Sequence, residues 1–238
     1  MDCVLALTES KGCDVFGEFA EDAILLENDS KGLSSASSWR FYRTSESESL
    51  IVCKGEAKLV LIAGRQIISK ESVELLSLFC SLKVEDRTLS LAELAQLVAD
   101  KGGLPVLPWG VGKWWGARGR VVSGLMNSNV IYPFFLADSG NRPTFWPKPA
   151  LLRQACDMQI PVLSGSDPLP IASHEIRPGS SGVVLADSEL SREYPGAYLR
   201  KLLVSKKEIV SFGGRTGSLP FIIDQLRMNL RNSKKSCL

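Results

Sequence analysis

The residues best suited to bind an anion follow a short apolar segment at 104–109. Lys113 lies in a glycine-containing loop, and Arg118 precedes a predicted helix at 119–127. A loop between a strand and a helix N-terminus presents free backbone N–H groups and the positive end of the helix dipole, so it can bind phosphate or carboxylate. The alternative is a tight turn with a solvated lysine, because the spacing differs from that of a Walker loop.

A second polar group follows the apolar segment 130–137. Asp138 and Asn141 could contact ligand hydroxyl groups, as carboxylates and amides do in sugar sites, and Arg142 adds a cation. The alternative is an Asp/Gly turn closed by its own hydrogen bonds. Because barrels keep their sites at the C-terminal ends of strands, the position favours a functional role.

Asp167, in the Gly-Ser-Asp-Pro segment 165–168, is the strongest single candidate for a catalytic residue. A lone carboxylate can act as a general base or as a metal ligand. The alternative is a turn carboxylate that accepts backbone N–H groups. His174, the only histidine, is either a loop residue near the site or an ordinary surface histidine.

The remaining candidates are cationic, polar or aromatic. Tryptophans suit the stacking of sugars or bases, although they are also common packing residues. The predicted catalytic residues are Asp138 and Asp167, and the predicted ligand-binding residues are Arg65, Gln66, Trp109, Lys113, Trp114, Arg118, Asn141, Arg142, Ser166 and Arg177.

The bulk composition excludes several classes of function. A net charge of +2 is too small to indicate nucleic acid or a membrane as a partner. The six cysteines form no C-x-x-C pair, which argues against a disulfide framework or a structural zinc site. With no signal-peptide pattern and no apolar run long enough to cross a bilayer, the expected location is the cytoplasm.

Periodicity predicts the elements that would position these residues. A β-hairpin is expected at about 39–54, a loop at 28–38 and a helix at about 69–79. A second helix is expected after Ser90, because Glu93 stands in capping-box position. From residue 59 onward, short apolar strands alternate with helices, which predicts a mainly parallel α/β sheet or barrel.

Four of the strand-like segments resemble the PHP family (polymerase and histidinol phosphatase type), whose members are distorted α/β barrels that bind metals and hydrolyse phosphoesters. The segments are 2–10, 61–66, 104–109 and 162–168. The resemblance implies one PHP-like, distorted TIM-type α/β barrel domain over 1–238, with an inserted hairpin and a polar tail at about 231–238. Its first strand is expected to be missing or to come from upstream sequence.

The resemblance also shows where the metal ligands of that family are replaced. Glu9 and Ser10 stand in place of Asp and His, and Gln66 stands in place of Glu. Of the matched ligand positions only Asp167 keeps the family's residue type, and a single histidine cannot rebuild a multinuclear site.

The sequence therefore predicts a degenerate PHP-like protein that binds a small phosphorylated or sugar-like anion at the strand ends, without the usual metal cluster. One alternative is a metal-dependent phosphoesterase with a single divalent ion, manganese or zinc, held by Glu9, Asp138, Asp167 and His174. Another is a non-catalytic module that docks a protein partner through its hairpin.

Overall fold

A computed structural model describes residues 3–25, 38–185, 190–205 and 209–235, with side chains to residue 229. Apart from Ser38, the loop expected at 28–38 lies outside these residues, and so does the end of the polar tail. In chain order the elements are β1 Cys3–Ala6, α1 Val15–Glu21, β2 Ile24–Leu25, β3 Arg40–Arg43, β4 Ser49–Lys54, β5 Ala57–Ile62, β6 Gly64–Ile68, β7 Glu74–Leu78, α2 Leu91–Asp100, β8 Leu104–Pro108, α3 Ala117–Met126, β9 Phe135–Ser139, α4 Ala150–Asp157, β10 Val162–Gly165, a 3₁₀ turn Ala172–His174, β11 Ser181–Val184, α5 Pro195–Ser205, β12 Val210–Gly213 and α6 Ser218–Lys235.

The described strands form three sheets. The first has the order β1-β5-β4-β3-β2, the second has the order β10-β9-β8-β7-β6, and β11 and β12 form an antiparallel pair. In the second sheet only β8, β9 and β10 run parallel to one another, while β6, β7 and β8 are joined by antiparallel pairing. None of the helices in the described ranges is long and apolar enough to cross a membrane.

The expected TIM-type barrel is wrong. No sheet closes on itself within the described ranges, and the antiparallel pairs interrupt the all-parallel order that such a barrel requires. Because the described residues form no barrel, the expectation about its first strand is wrong as well. The first two sheets are instead joined at Gly64, where a Cβ would overlap the carbonyl oxygen of Leu7, so the close approach of the strands requires glycine.

The second sheet is covered on both faces. One face packs against α2, α3 and α4, with Leu107 and Leu136 among the fully buried residues. The other face contributes Val106 and Phe135 to a core shared with the first sheet and with Leu199 of α5. This double burial explains why β8–β10 are nearly continuous apolar runs and why their polar residues begin only at their C-terminal ends.

The helix predicted at 69–79 is wrong, because this segment contains the strand β7 and no helix. Leu75 and Ser77 are buried on one face of the strand, and Val73, which directly precedes the strand, is also buried. Because the buried residue Ser77 is polar, the sequence does not show the alternation of apolar and polar residues that is typical of a strand. The apolar residues that remain also fit helical spacing. Ser69 N donates to Val73 O at 2.8 Å, and the turn places Ser72 at φ 61°.

The predicted start of α2 is confirmed in atomic detail. Ser90 Oγ accepts a hydrogen bond from Glu93 N at 3.3 Å, and the Glu93 carboxylate accepts one from Ser90 N at 2.7 Å. The hydrogen bonds from the side chain and the backbone of Ser90 hold the pKa of Glu93 below its usual value. The helix ends before Gly102, whose φ of 79° favours glycine.

The predicted hairpin is confirmed as β3–β4, and its tip contacts the N-terminus of α5. The Glu46 carboxylate accepts hydrogen bonds from Gly196 N and, at 3.0 Å, from Ala197 N. Ser49 Oγ also donates to Glu46 Oε1 at 2.7 Å. A carboxylate from a distant hairpin thus satisfies the free N–H groups of the helix and its positive dipole end.

Substitution of Glu46 is therefore expected to weaken the docking of α5. Glu46→Ala should lower the free energy of unfolding by about 1–2 kcal/mol, the range for loss of a helix cap. Glu48→Ala is the matched control, since the only hydrogen bond to the Glu48 carboxylate among the described contacts comes from Ser47 Oγ. Urea denaturation of both variants measures the difference, and equal effects would contradict the capping role.

Candidate functional site

Polar side chains from three segments meet at the C-terminal ends of β9 and β10. The segments are 138–142, 164–177 and 216–224, and backbone hydrogen bonds join them. Gly140 N donates to Gly165 O at 2.8 Å, and Thr216 N donates to Gly140 O at 3.0 Å. Ligands of open α/β sheets bind outside the carboxyl ends of parallel strands, so this edge is the natural candidate site.

Asp167 has a backbone conformation that is rare for its residue type. Its φ is 44°, in the left-handed region, although the following residue is Pro168. Ser139 Oγ donates to Asp167 Oδ2 at 2.8 Å, and Asn141 Nδ2 donates to Asp167 O. Such strain costs about 1–3 kcal/mol and occurs preferentially at functional sites. Asp167 is exposed, so its carboxylate is held in place and open to a ligand.

His174 is buried, with only 2% of its surface exposed, so the interpretation as a surface histidine is wrong. Leu169 N donates to His174 Nδ1 at 2.9 Å, which leaves the ring proton on Nε2. Nε2 lies 2.8 Å from Asp224 Oδ2, and the Nε2 hydrogen is therefore donated to that carboxylate. The imidazole is fixed in one tautomer and one orientation.

Asp224 was not among the sequence candidates. It is the one acidic residue of α6, and it follows three apolar residues at 221–223. An acidic residue in such a segment is the signal in the sequence that could have identified it. Only 7% of its surface is exposed. Ser173 Oγ also donates to Asp224 Oδ1, at 3.4 Å. The pair His174–Asp224 attaches α6 to the segment that follows β10.

Arg177 lies beside this pair, and the side chains that accept its hydrogen bonds are neutral. Its Nη1 donates to Asn141 Oδ1 at 2.9 Å and its Nη2 donates to Thr216 Oγ1 at 2.8 Å. Nη1 also lies 3.0 Å from His174 Nε2, but that nitrogen already carries a hydrogen and cannot accept another. Within the described part of the chain Arg177 makes no ion pair with a carboxylate. A guanidinium has five N–H donors, so several remain for a ligand.

Asp138 and Arg142 lie at the same edge, where they pair with each other. Arg142 Nε lies 2.9 Å from Asp138 Oδ1, and Nη2 lies 2.7 Å from Oδ2, which is a bidentate arrangement. Arg142 Nη1 donates to Trp146 O at 2.9 Å. The side chain of Arg142 is 9% exposed. Both charged groups are thus engaged in holding the loop after β9.

The cationic side chains that follow β8 contact other groups of the same chain. Lys113 Nζ lies 2.7 Å from Glu74 Oε2, and Arg118 Nη2 donates to Gly112 O at 2.8 Å. Trp109 and Trp114 are buried in the core beneath the helices. The exposed aromatic ring of this loop is Trp115, which stacks on Trp146 at a centroid distance of 6.5 Å.

Arg65 and Gln66 lie in a different cluster, at the start of β6. Arg65 Nη1 is 3.2 Å from Glu9 Oε2, and the guanidinium also contacts Asp14. Gln66 N donates to Glu9 O at 2.8 Å. Hydrogen bonds from Lys83 and then from Arg65 hold the pKa of Asp14 below its usual value. These contacts attach α1 to the junction of the first two sheets.

The four candidate metal ligands are not brought together. Glu9 pairs with Arg65, Asp138 with Arg142, Asp167 with Ser139 and His174 with Asp224. In the ranges for which coordinates are described, no group of three or more histidine, cysteine or acidic side chains is placed to hold a metal ion. Ser166 lies next to Asp167, where its Cα approaches Gly140.

Comparison with known proteins adds information on the fold alone. No protein-family model matches the sequence, and no curated protein is significantly similar to it. The structure is similar to the crystal structure of PsfC from Pseudomonas syringae PB-5123, with a TM-score of 0.50 and 13% sequence identity over 95% of this chain and 84% of that one. The expected assignment to the PHP family and its metal-dependent hydrolases is wrong, because the observed sheets are mixed and open.

Proposed function

We propose that this chain binds a small anionic ligand, phosphorylated or sugar-like, at the C-terminal ends of β9 and β10. The observation that carries the proposal is the environment of Arg177. Its positive charge is half-buried among Asn141, Thr216 and the neutral imidazole of His174, with no ion-pair partner in the described ranges. A partly desolvated cation with unused donors is stabilised by an anion, and charge-assisted hydrogen bonds are the strong ones.

The neighbouring groups suit the polar remainder of such a ligand. The exposed carboxylate of Asp167 can accept hydrogen bonds from ligand hydroxyl groups, and Ser139 holds it in place. The hydrogen bond that Asn141 Nδ2 donates to Asp167 O fixes the amide, whose oxygen accepts a hydrogen bond from Arg177. Because these side chains are positioned before a ligand arrives, little conformational entropy is lost on binding.

His174 and Asp224 lie next to Arg177 in the described structure. The fixed tautomer directs the Nε2 hydrogen toward Asp224, so the buried carboxylate is satisfied by the imidazole and by Ser173. Arg177 therefore contacts the imidazole edge while Asp224 remains out of ion-pair range. This arrangement keeps the guanidinium available to a ligand.

Arg177→Met is the variant that tests the proposal. Loss of a charge-assisted contact of about 1.5–3 kcal/mol should lower affinity roughly 10- to 100-fold. Isothermal titration with inorganic phosphate, glucose 6-phosphate and glucose measures the effect and separates anion binding from sugar binding. Arg120→Met, an exposed position on α3, is the matched control and should leave affinity unchanged.

Two results would overturn the proposal. One is a wild-type protein that binds none of these probes at low ionic strength. The other is equal affinity in the wild type and in a folded Arg177→Met variant. Affinity that decreases with added salt in the wild type but not in Arg177→Met would support the electrostatic contact.

A further inference from the structure

The outward face of α6 exposes a row of large aliphatic side chains. Leu219 is 67% exposed, Ile222 50%, Ile223 38% and Leu226 58%. Their spacing of three, four and seven residues places them on one side of the helix. Such a continuous apolar stripe marks a surface that contacts something else, whereas scattered exposed aliphatic residues need no explanation.

The opposite face of α6 is fixed to the rest of the protein, so the orientation of this stripe is determined. Asp224 is buried and bonded to His174, and Phe221 packs edge-on against Phe145 with centroids 6.0 Å apart. Arg227, at the border between the two faces, is exposed and donates through Nη1 to Ser173 Oγ at 3.2 Å. The helix thus turns a polar residue inward and leaves its aliphatic residues outside.

The charges of α6 are also asymmetric. Arg227 is exposed, and the sequence of the same helix continues with Arg231, Lys234 and Lys235. At about 100° per residue, positions 227, 231 and 234 follow one side of the apolar stripe. The one acidic residue of the helix, Asp224, is buried on the inner side.

We propose that this face of α6 binds the surface of an anionic lipid bilayer. An aliphatic stripe bordered by basic residues is the pattern of helices that lie in the plane of the membrane interface. The charge pattern favours lipid over a second copy of the chain, because two copies of α6 would bring basic residues together with no exposed acid on either helix. The net charge of the whole chain did not indicate a membrane partner, because it is a sum over all residues and does not show that basic residues are concentrated on α6.

Vesicle co-sedimentation tests this proposal on the whole chain. Wild-type protein should sediment with phosphatidylcholine vesicles that contain phosphatidylglycerol, and much less with phosphatidylcholine alone. The variant Leu219→Ser/Ile222→Ser/Leu226→Ser should reduce partitioning by at least about tenfold, because it removes the aliphatic groups that would be buried. Ile131→Ser is the matched control, since Ile131 is 95% exposed and lies outside α6.

A second variant tests the charges. Lys234→Gln/Lys235→Gln should weaken binding to the anionic vesicles and leave the residual binding to neutral vesicles unchanged. Absence of sedimentation with either vesicle would overturn the proposal, as would equal partitioning of the triple serine variant. A concentration-dependent dimer in light scattering that the triple variant abolishes would overturn it in favour of a second copy.

Discussion

Replacement of Arg65 by methionine is expected to lower the free energy of unfolding by about 3–5 kcal/mol, the cost of breaking a buried ion pair from one side. The side chains of Arg65 and Glu9 are each 8% exposed. Without the guanidinium, the Glu9 carboxylate would remain buried with only Phe16 N, at 3.1 Å, as a hydrogen-bond donor. Its Oε2 atom has no hydrogen-bond partner in the described structure beyond the ion pair itself.

The second carboxylate of this cluster increases the effect. Asp14 also contacts Arg65, so the variant leaves two acidic groups near α1, and among the described ion pairs Lys83 is the cation that remains with them. The Lys83–Asp14 pair is the built-in control. Both of its side chains are substantially exposed, and Lys83→Met should therefore cost only about 0–1 kcal/mol.

Chemical denaturation of the wild type and both single variants distinguishes these expectations. The double variant Glu9→Gln/Arg65→Met should recover part of the lost stability, because it removes the unpaired buried charge. If Arg65→Met costs no more than Lys83→Met, the cluster is a surface ion pair in solution and the interpretation of a buried pair is wrong.

Arg142→Met is expected to have the second-largest effect on stability, about 3 kcal/mol. The substitution removes the three hydrogen bonds to the Asp138 carboxylate and the bond to Trp146 O. Asp138 is 22% exposed at its side chain, so partial hydration keeps the cost at the lower end of the range for buried pairs. Thermal and urea unfolding measure the change.

A double-mutant cycle with Asp138→Asn isolates the pair itself. Residues in direct contact usually show coupling of about 0.5–3 kcal/mol, and the bidentate geometry favours the upper part of that range. Arg153→Met is the control, because Arg153 is exposed and donates to the carbonyl of Lys148. Additive single effects would contradict the assignment of Asp138 and Arg142 as partners.

The variant Arg142→Met also separates an effect on stability from an effect on ligand binding. If the anion is held by Arg177, folded Arg142→Met should bind inorganic phosphate within about twofold of the wild type, because Arg142 is already neutralised by Asp138. A large loss of affinity in Arg142→Met would instead move the anion contact to the loop after β9. Arg177→Met is therefore expected to lower the affinity for phosphate, whereas Arg142→Met is expected to lower stability and to leave that affinity nearly unchanged.

Local signals in the sequence identified several elements correctly. The capping box of Ser90 and Glu93, the hairpin β3–β4 and the strand-to-helix alternation from β8 to β10 each depend on neighbours within a few residues. The prediction that polar residues gather after β9 and β10 has the same origin, since burial on both faces confines polar side chains to strand ends.

Long-range pairing decided the rest, and residue spacing carries little information about it. The order and direction of the strands excluded a barrel, although each strand alone would have suited one. Lys113 and Arg142 looked like free cations in the sequence, but tertiary contacts supply each with a carboxylate.

His174 and Asp224 show the limit most clearly. They lie 50 residues apart in the chain and meet only because α6 folds back against the segment after β10. By itself the sequence determined where helices, strands and polar strand ends lie, because hydrophobic periodicity and capping act over a few residues. Only the tertiary structure decided which charged groups are paired, and that Arg177 makes no ion pair within the described ranges, because that depends on contacts between segments far apart in the chain.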